Sequence, residues 1–193
     1  MFRSPHTPKR LLVIAVLAAL GSFLAAGCGS DAADDSSPAP DYAAKLAGSP
    51  PPLAALHAQG DELLDGGLEA FEGRMSGLEG FPAVVNVWAS WCGPCRAEFP
   101  HFQQAAAQLG KKVAFLGVDS DDDADAAATF LADHSVPYPS YSDPDKKIGN
   151  SLGATHGIPA TTFFDRMGEQ TFVKFGPYAS LEELEADIDT YAV

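Results

Sequence analysis

Two cysteines set two residues apart carry the chemistry of this chain. Cys92 and Cys95 lie in the segment Trp88 to Pro100, WASWCGPCRAEFP, with an apolar run, Ala83 to Trp88, before them and a helix-like segment after them. A CxxC pair that enters a helix is a redox device. The helix N-terminus presents unpaired N–H groups and a partial positive charge, so a thiol there ionises more easily. The second thiol lies one turn further on, within reach to close a disulfide. Gly93 and Pro94 allow the tight turn, and a proline in the first helical turn gives up no needed hydrogen bond. The chemistry implied is thiol–disulfide exchange, with Cys92 as nucleophile and Cys95 as resolving thiol. A static disulfide at this spacing would staple almost no loop. A zinc site lacks its ligands: there is no second CxxC, and His101 turns off the Cys95 face of the helix. No metal is expected, and no cofactor beyond the Cys92–Cys95 couple itself.

The N-terminal segment says where that chemistry takes place. Arg3, Lys9 and Arg10 precede an unbroken apolar stretch, Leu11 to Leu20, and small residues Ala25, Ala26 and Gly27 lead to Cys28. This is the pattern of an export signal. Ala-Ala-Gly-Cys after a leucine-rich core resembles a bacterial lipobox, which implies cleavage before Cys28 and a lipid on its sulfur. An uncleaved anchor is the alternative, since Leu11 to Gly27 approaches the length of a spanning helix. Either places the rest of the chain outside the cytoplasm, held at a membrane. The division expected is a signal peptide over 1–27, a lipid-anchored flexible tether rich in Ala, Asp, Ser and Pro over 28–49, and one folded domain over 50–193.

Charge narrows the partners. Of 12 basic and 26 acidic residues, three basic and no acidic ones precede Cys28, which leaves 9 against 26 and a formal charge of −17 beyond the signal. Such a chain is not built for nucleic acid or for electrostatic docking on anionic lipid. A monomer is expected.

The elements that must position the pair follow from periodicity. Leu68, Phe71, Met75 and Leu78 recur at helical spacing within Gly66 to Leu78. Ala83 to Trp88 reads as a buried strand, Pro94 to Leu109 as a helix kinked at Pro100 and stopped by Gly110, and Val113 to Val118 as a second buried strand. Asp122 to His134 reads as a helix with Phe130 and Leu131 inward, Tyr138 to Tyr141 as a short strand, and Lys146 to Leu152 as a short helix. Ala160 to Phe164 and Gln170 to Phe175 form a hairpin around Asp165 to Gly168, and Leu181 to Tyr191 is a closing helix. Alternating strands and helices imply parallel crossovers, with the hairpin as an antiparallel edge. The fold class is α/β, a three-layer α/β/α sandwich.

That element order, WCGPC at the start of the first long helix, and Ile158-Pro159 just before the late strand together resemble the thioredoxin fold. The continuation Cys95-Arg-Ala-Glu-Phe-Pro100, a central helix–strand insertion over about Asp122 to Tyr141, and the lipobox are similar to the exported TlpA/ResA-like branch of membrane-tethered thiol–disulfide oxidoreductases. The resemblance implies a cis peptide before Pro159, so that the Ile158 backbone faces the sulfurs and can pair with an extended client. It implies that Glu98, three residues past Cys95 on the same side of the helix, helps control cysteine protonation. The buried aspartate of thioredoxin itself is matched here by Asn86, which cannot titrate. Trp91 is expected to cover the disulfide and exclude water, and Trp88 to pack in the core.

The resemblance also suggests electrons from a membrane thiol donor and exported clients such as apocytochrome c. A disulfide-forming oxidase would use the same motif, though Gly93-Pro94 leans towards reduction. A redox-inert binding module would not need both cysteines, and a thiol peroxidase would need a Thr/Ser-x-x-Cys pattern that Cys92 lacks. The acidic run Asp119, Asp121, Asp122, Asp123 and Asp125 fails as a calcium loop, because Ala124 and Phe130 stand where glycine and glutamate are required. It reads instead as N-terminal capping of the helix from Asp122. His57, His134 and His156 read as surface or turn residues.

Overall fold

In a computed structural model, residues 40–193 are described. The expected signal peptide, the expected lipidation at Cys28 and the expected tether up to residue 39 fall outside the described residues. The elements run α1 (Tyr42–Leu46), α2 (Pro51–His57), β1 (Leu63–Leu64), α3 (Gly67–Ser76), β2 (Ala83–Trp88), α4 (Gly93–Leu109), β3 (Ala114–Ser120), α5 (Ala124–Asp133), β4 (Ser140–Asp143), α6 (Lys147–Ser151), β5 (Ala160–Phe164), β6 (Gln170–Phe175) and α7 (Leu181–Tyr191).

Six strands form one sheet in the order β1-β4-β3-β2-β5-β6. The first four are mutually parallel, and the β5–β6 hairpin adds the antiparallel edge. Every residue of β2 is buried because the strand lies in the middle of the sheet with helices on both faces. Its side chains alternate between two cores. Val84 and Trp88 enter the cluster built with α4, α5 and α7, while Ala83, Val85 and Val87 enter the one built with α2, α3 and α6. Trp88, Phe99 and Phe130 meet edge-to-face or tilted at centroid distances of 4.7–5.3 Å, in the same cluster as the cysteines. The expected three-layer sandwich is therefore present, with the α5–β4 insertion supplying a strand between β3 and β1.

Several boundaries differ from the sequence reading. Tyr42–Leu46, placed in the tether by composition, is a helix capped by Asp41, with Leu46 buried and the Tyr42 hydroxyl donating to the Ser135 carbonyl. Residues 42–49 thus belong with the folded part. β3 continues through the buried polar residues Asp119 and Ser120, which an apolar pattern does not reveal. α4, by contrast, keeps its expected extent with Pro100 inside it. His57 is a half-buried tie rather than a surface residue, its ring nitrogens meeting the carbonyls of Pro137 and Gly110 at 3.1 Å. Among the described residues no helix is long and apolar enough to cross a membrane.

The close contact of β2, β3 and β4 depends on Gly117. A Cβ there would lie 2.1 Å from Ser140 Oγ and 2.9 Å from Trp88 Nε1, the two atoms joined by a 3.2 Å hydrogen bond. Gly117→Ala is expected to break that bond and lower Tm by about 5–10 °C, a cost of roughly 2–3 kcal/mol from overpacking. Thermal unfolding followed by circular dichroism checks it; an unchanged Tm would contradict this packing.

Candidate active site

Strand register brings three segments to one end of the sheet. β2 ends at Trp88, which pairs with Asp119 of β3 on one side. On its other side Val87 pairs with Ala160 of β5, so Pro159 lies level with Trp88. The chain leaving β2 has only Ala89 to Trp91 in which to turn before α4 begins. Cys92 is therefore the N-cap of α4, and its Sγ accepts a hydrogen bond from the Cys95 N–H at 3.2 Å. The two cysteines are joined as a disulfide with their Cα atoms 5.3 Å apart. When this bond is reduced, the same N–H and the helix dipole favour negative charge on Cys92.

Cys92 is more enclosed than the sequence reading expects. Cys95 is fully buried as anticipated, but Cys92 is only 4% exposed rather than open at the helix start. The exposed rim is formed by Trp91, Gly93 and Pro94. Trp91 stands on this rim. It is 60% exposed, and its indole N–H donates to the Asp121 carbonyl at 2.9 Å. Opposite it, the Ile158–Pro159 peptide is cis, Pro159 is buried, and Ile158 packs against the apolar cluster that contains both cysteines. Trp91 and Ile158 line an open groove of about 470 Å³, whose walls include Lys146, Asn150 and His156. None of these three was singled out as a site residue from sequence, because they come from a separate helix and loop.

Glu98 is completely buried one turn below Cys95. Its Oε1 accepts from Asn86 Nδ2 at 2.8 Å and its Oε2 from the Tyr178 N–H at 3.0 Å. Burial pushes its carboxyl up to about 7, while the Tyr178 and Asn86 hydrogen bonds and the Lys174 charge pull the other way. A group at that value can exchange protons near neutrality. Asn86 thus has a part that its inability to titrate concealed, since it orients the acid across the sheet–helix interface. Among the described residues no cluster of His, Cys, Asp or Glu is arranged to hold a metal. The acidic run is also only partly a helix cap. Asp123 caps α5 through Asp125 N and Ala126 N, whereas Asp122 reaches back to Ser90.

The Glu98 environment has a thermodynamic consequence. The folded chain holds this proton up to about pH 7, whereas an unfolded glutamate releases it near 4.5. Its stabilising contribution is complete below the lower value and is lost as pH rises through the upper one, on the order of 3 kcal/mol in all. Glu98→Gln stays neutral throughout but turns an amide donor towards one of two donors, at a cost of about 1–3 kcal/mol. Urea unfolding at pH 5 and pH 8 is expected to find the variant less stable at pH 5 and the gap closed or reversed at pH 8. A pH-independent gap would place the titration elsewhere.

Comparison with known proteins extends the geometry. The family model described as Redoxin matches residues 55–188. The thiol:disulfide interchange protein DsbE of Pseudomonas fluorescens biotype C is 41% identical over 92 residues, 47% of this chain and 49% of that protein. The thiol:disulfide interchange protein HelX of Rhodobacter capsulatus is 33% identical over 127 residues, 64% of each chain. The chain thus spans about half to two thirds of the length of these curated relatives. Among solved structures, a protein from Chlorobium tepidum described as a thiol:disulfide interchange protein DsbE superposes with a TM-score of 0.55 at 30% identity, covering 60% of this chain and 83% of that one. The fold is thioredoxin-like, and since the matched span takes in every residue of the site just described, the chain belongs to the Redoxin family.

Proposed function

We propose that this chain is a thiol–disulfide oxidoreductase that reduces disulfides in exported proteins. The observation that carries the reading is the Cys92–Cys95 disulfide at the N-terminus of α4, with cis-Pro159 beside it and an acid that titrates near neutrality beneath it. In the reduced state the Cys92 thiolate attacks a client disulfide, forming a mixed disulfide and releasing one client thiolate. Glu98 takes the proton from Cys95, directly or through water, as that thiol becomes the second nucleophile. Cys95 then attacks the Cys92 sulfur, which releases the other client thiolate and closes Cys92–Cys95. Two electrons have passed to the client, and a membrane thiol donor restores the pair. The groove between Trp91 and Ile158 receives the client backbone as an added extended segment.

The relatives described as DsbE and HelX support exchange chemistry, and the export pattern of residues 1–27 with Cys28 supports work outside the cytoplasm on a lipid anchor. Clients with a CxxCH pair, as in apocytochrome c, fit this reading.

Three measurements test it. Cys92→Ser is expected to abolish catalysis of insulin disulfide reduction by dithiothreitol, and Cys95→Ser to accumulate a mixed disulfide seen by non-reducing electrophoresis. Equilibration against glutathione and dithiothreitol is expected to give a potential at or below roughly −250 mV; a value above roughly −150 mV would mark a disulfide donor and overturn the direction. Full activity in Cys92→Ser would overturn the redox reading altogether.

A further inference from the structure

The segment that carries the nucleophile is held from the side by the loop after β3. Asp122 takes both donors of Ser90, the backbone N–H on Oδ2 and the hydroxyl on Oδ1, the latter at 3.0 Å. The next residue, Trp91, is held by the Asp121 carbonyl. Thus the two residues immediately before Cys92 are fixed by two consecutive residues 30 and 32 positions away from them. Asp121 itself adopts a left-handed backbone conformation, φ 60°, with its carboxylate paired to Lys146 and its N–H bonded to the Asp143 carbonyl. The loop is therefore anchored independently of the segment it holds.

Asp119 stands behind this contact. It is 1% exposed, and its buried Oδ1 meets no hydrogen-bond donor. Burial, with the nearby charges of Asp122, Asp143 and Asp123, pushes it up to about 8. Burial also raises Asp122, but donations from Ser90 and Asp123 outweigh this and hold Asp122 below the usual carboxylate range. Asp119 therefore favours its protonated form at neutrality while Asp122 stays charged, the state in which its oxygens accept most strongly from Ser90.

We propose that Asp122 is a positioning residue for the exchange: by clamping Ser90 it fixes the Ala89–Trp91 segment that presents Cys92 to the partner disulfide. The inference rests on the exchange activity proposed above. Cys92 is nearly enclosed, so its attack depends on the path of this short segment, and a small misplacement of a nucleophile costs rate steeply.

The test uses Asp122→Ala, Asp122→Asn and Ser90→Ala in the full chain. With insulin as substrate, kcat is expected to fall about tenfold in Asp122→Ala with KM unchanged, and by less in Ser90→Ala, which loses only the hydroxyl bond. Asp122→Asn keeps an acceptor oxygen and is expected to recover part of the loss. A purely structural role would lower Tm and leave kcat of the folded variants unaltered, and that result overturns the proposal. If Asp122→Ala does not fold, unchanged kcat in both Ser90→Ala and Asp122→Asn overturns it. Alkylation of reduced Cys92 by iodoacetamide needs no client and separates the two ideas. Loss of insulin reduction in the wild type would sink the proposed function. The clamp would then stand if the alkylation rate differs between wild type and variants, and fall if it does not.

Discussion

The arrangement around the disulfide depends on a carboxyl group that has been taken out of water. Glu98 is fully buried, and a buried acid costs several kcal/mol unless its oxygens are met by donors. One donor comes from Asn86 in β2 and the other from the Tyr178 backbone between β6 and α7. A single side chain in α4 therefore ties the central strand and the C-terminal loop to the helix that carries both cysteines. Tyr178 is itself buried, its ring against Phe102 at 5.9 Å and its hydroxyl on Asp187 at 2.9 Å. Moving α4 relative to the sheet would strand the acid and two donors together, so the redox helix is held in register by a polar contact inside an apolar core.

The sheet supplies the second constraint. A parallel pair ends with both strands pointing the same way, so β2 and β3 deliver their following loops to one edge. The antiparallel β5 begins at that edge, which brings cis-Pro159 there as well. The site is thus bounded by a proline loop on one flank and an acidic loop on the other, with an N-terminus of α4 between them. The hydrogen bonds to Ser90 and Trp91 come from one flank and the apolar contact of Ile158 from the other. Exposed aromatic surface is left at Trp91, where a client backbone would meet the rim of the groove.

Most of this was legible where the pattern was local. β2, the β5–β6 hairpin and α7 match the sequence reading residue for residue, because an apolar run in a central strand, a turn closed by Asp165, and a Ser180 cap each declare themselves within a few positions. The cysteines were legible for the same reason. The N-terminal helices were not. Ala- and Pro-rich composition spoke for a tether, although Asp41 as a cap and the prolines opening α2 are helix-start signals. β1 has two residues, too few to show alternation. The Asp122–Ser90 contact spans 32 positions, and nothing in an acidic run says which member turns away from the helix it precedes.

Two acids near the same pair of sulfurs are set to opposite tasks by their surroundings. Glu98 is buried among apolar neighbours, and that burial outweighs its two donors, so it keeps its proton until about neutrality and, in the proposed exchange, can give or take it as Cys95 reacts. Asp122 is half-buried, accepts from a backbone N–H and a hydroxyl, and is backed by a protonated carboxyl, so it stays charged and holds position. Exchanging those surroundings would defeat both roles. A permanently charged Glu98 would oppose a second thiolate inside the core, and a protonated Asp122 would lose an acceptor for Ser90.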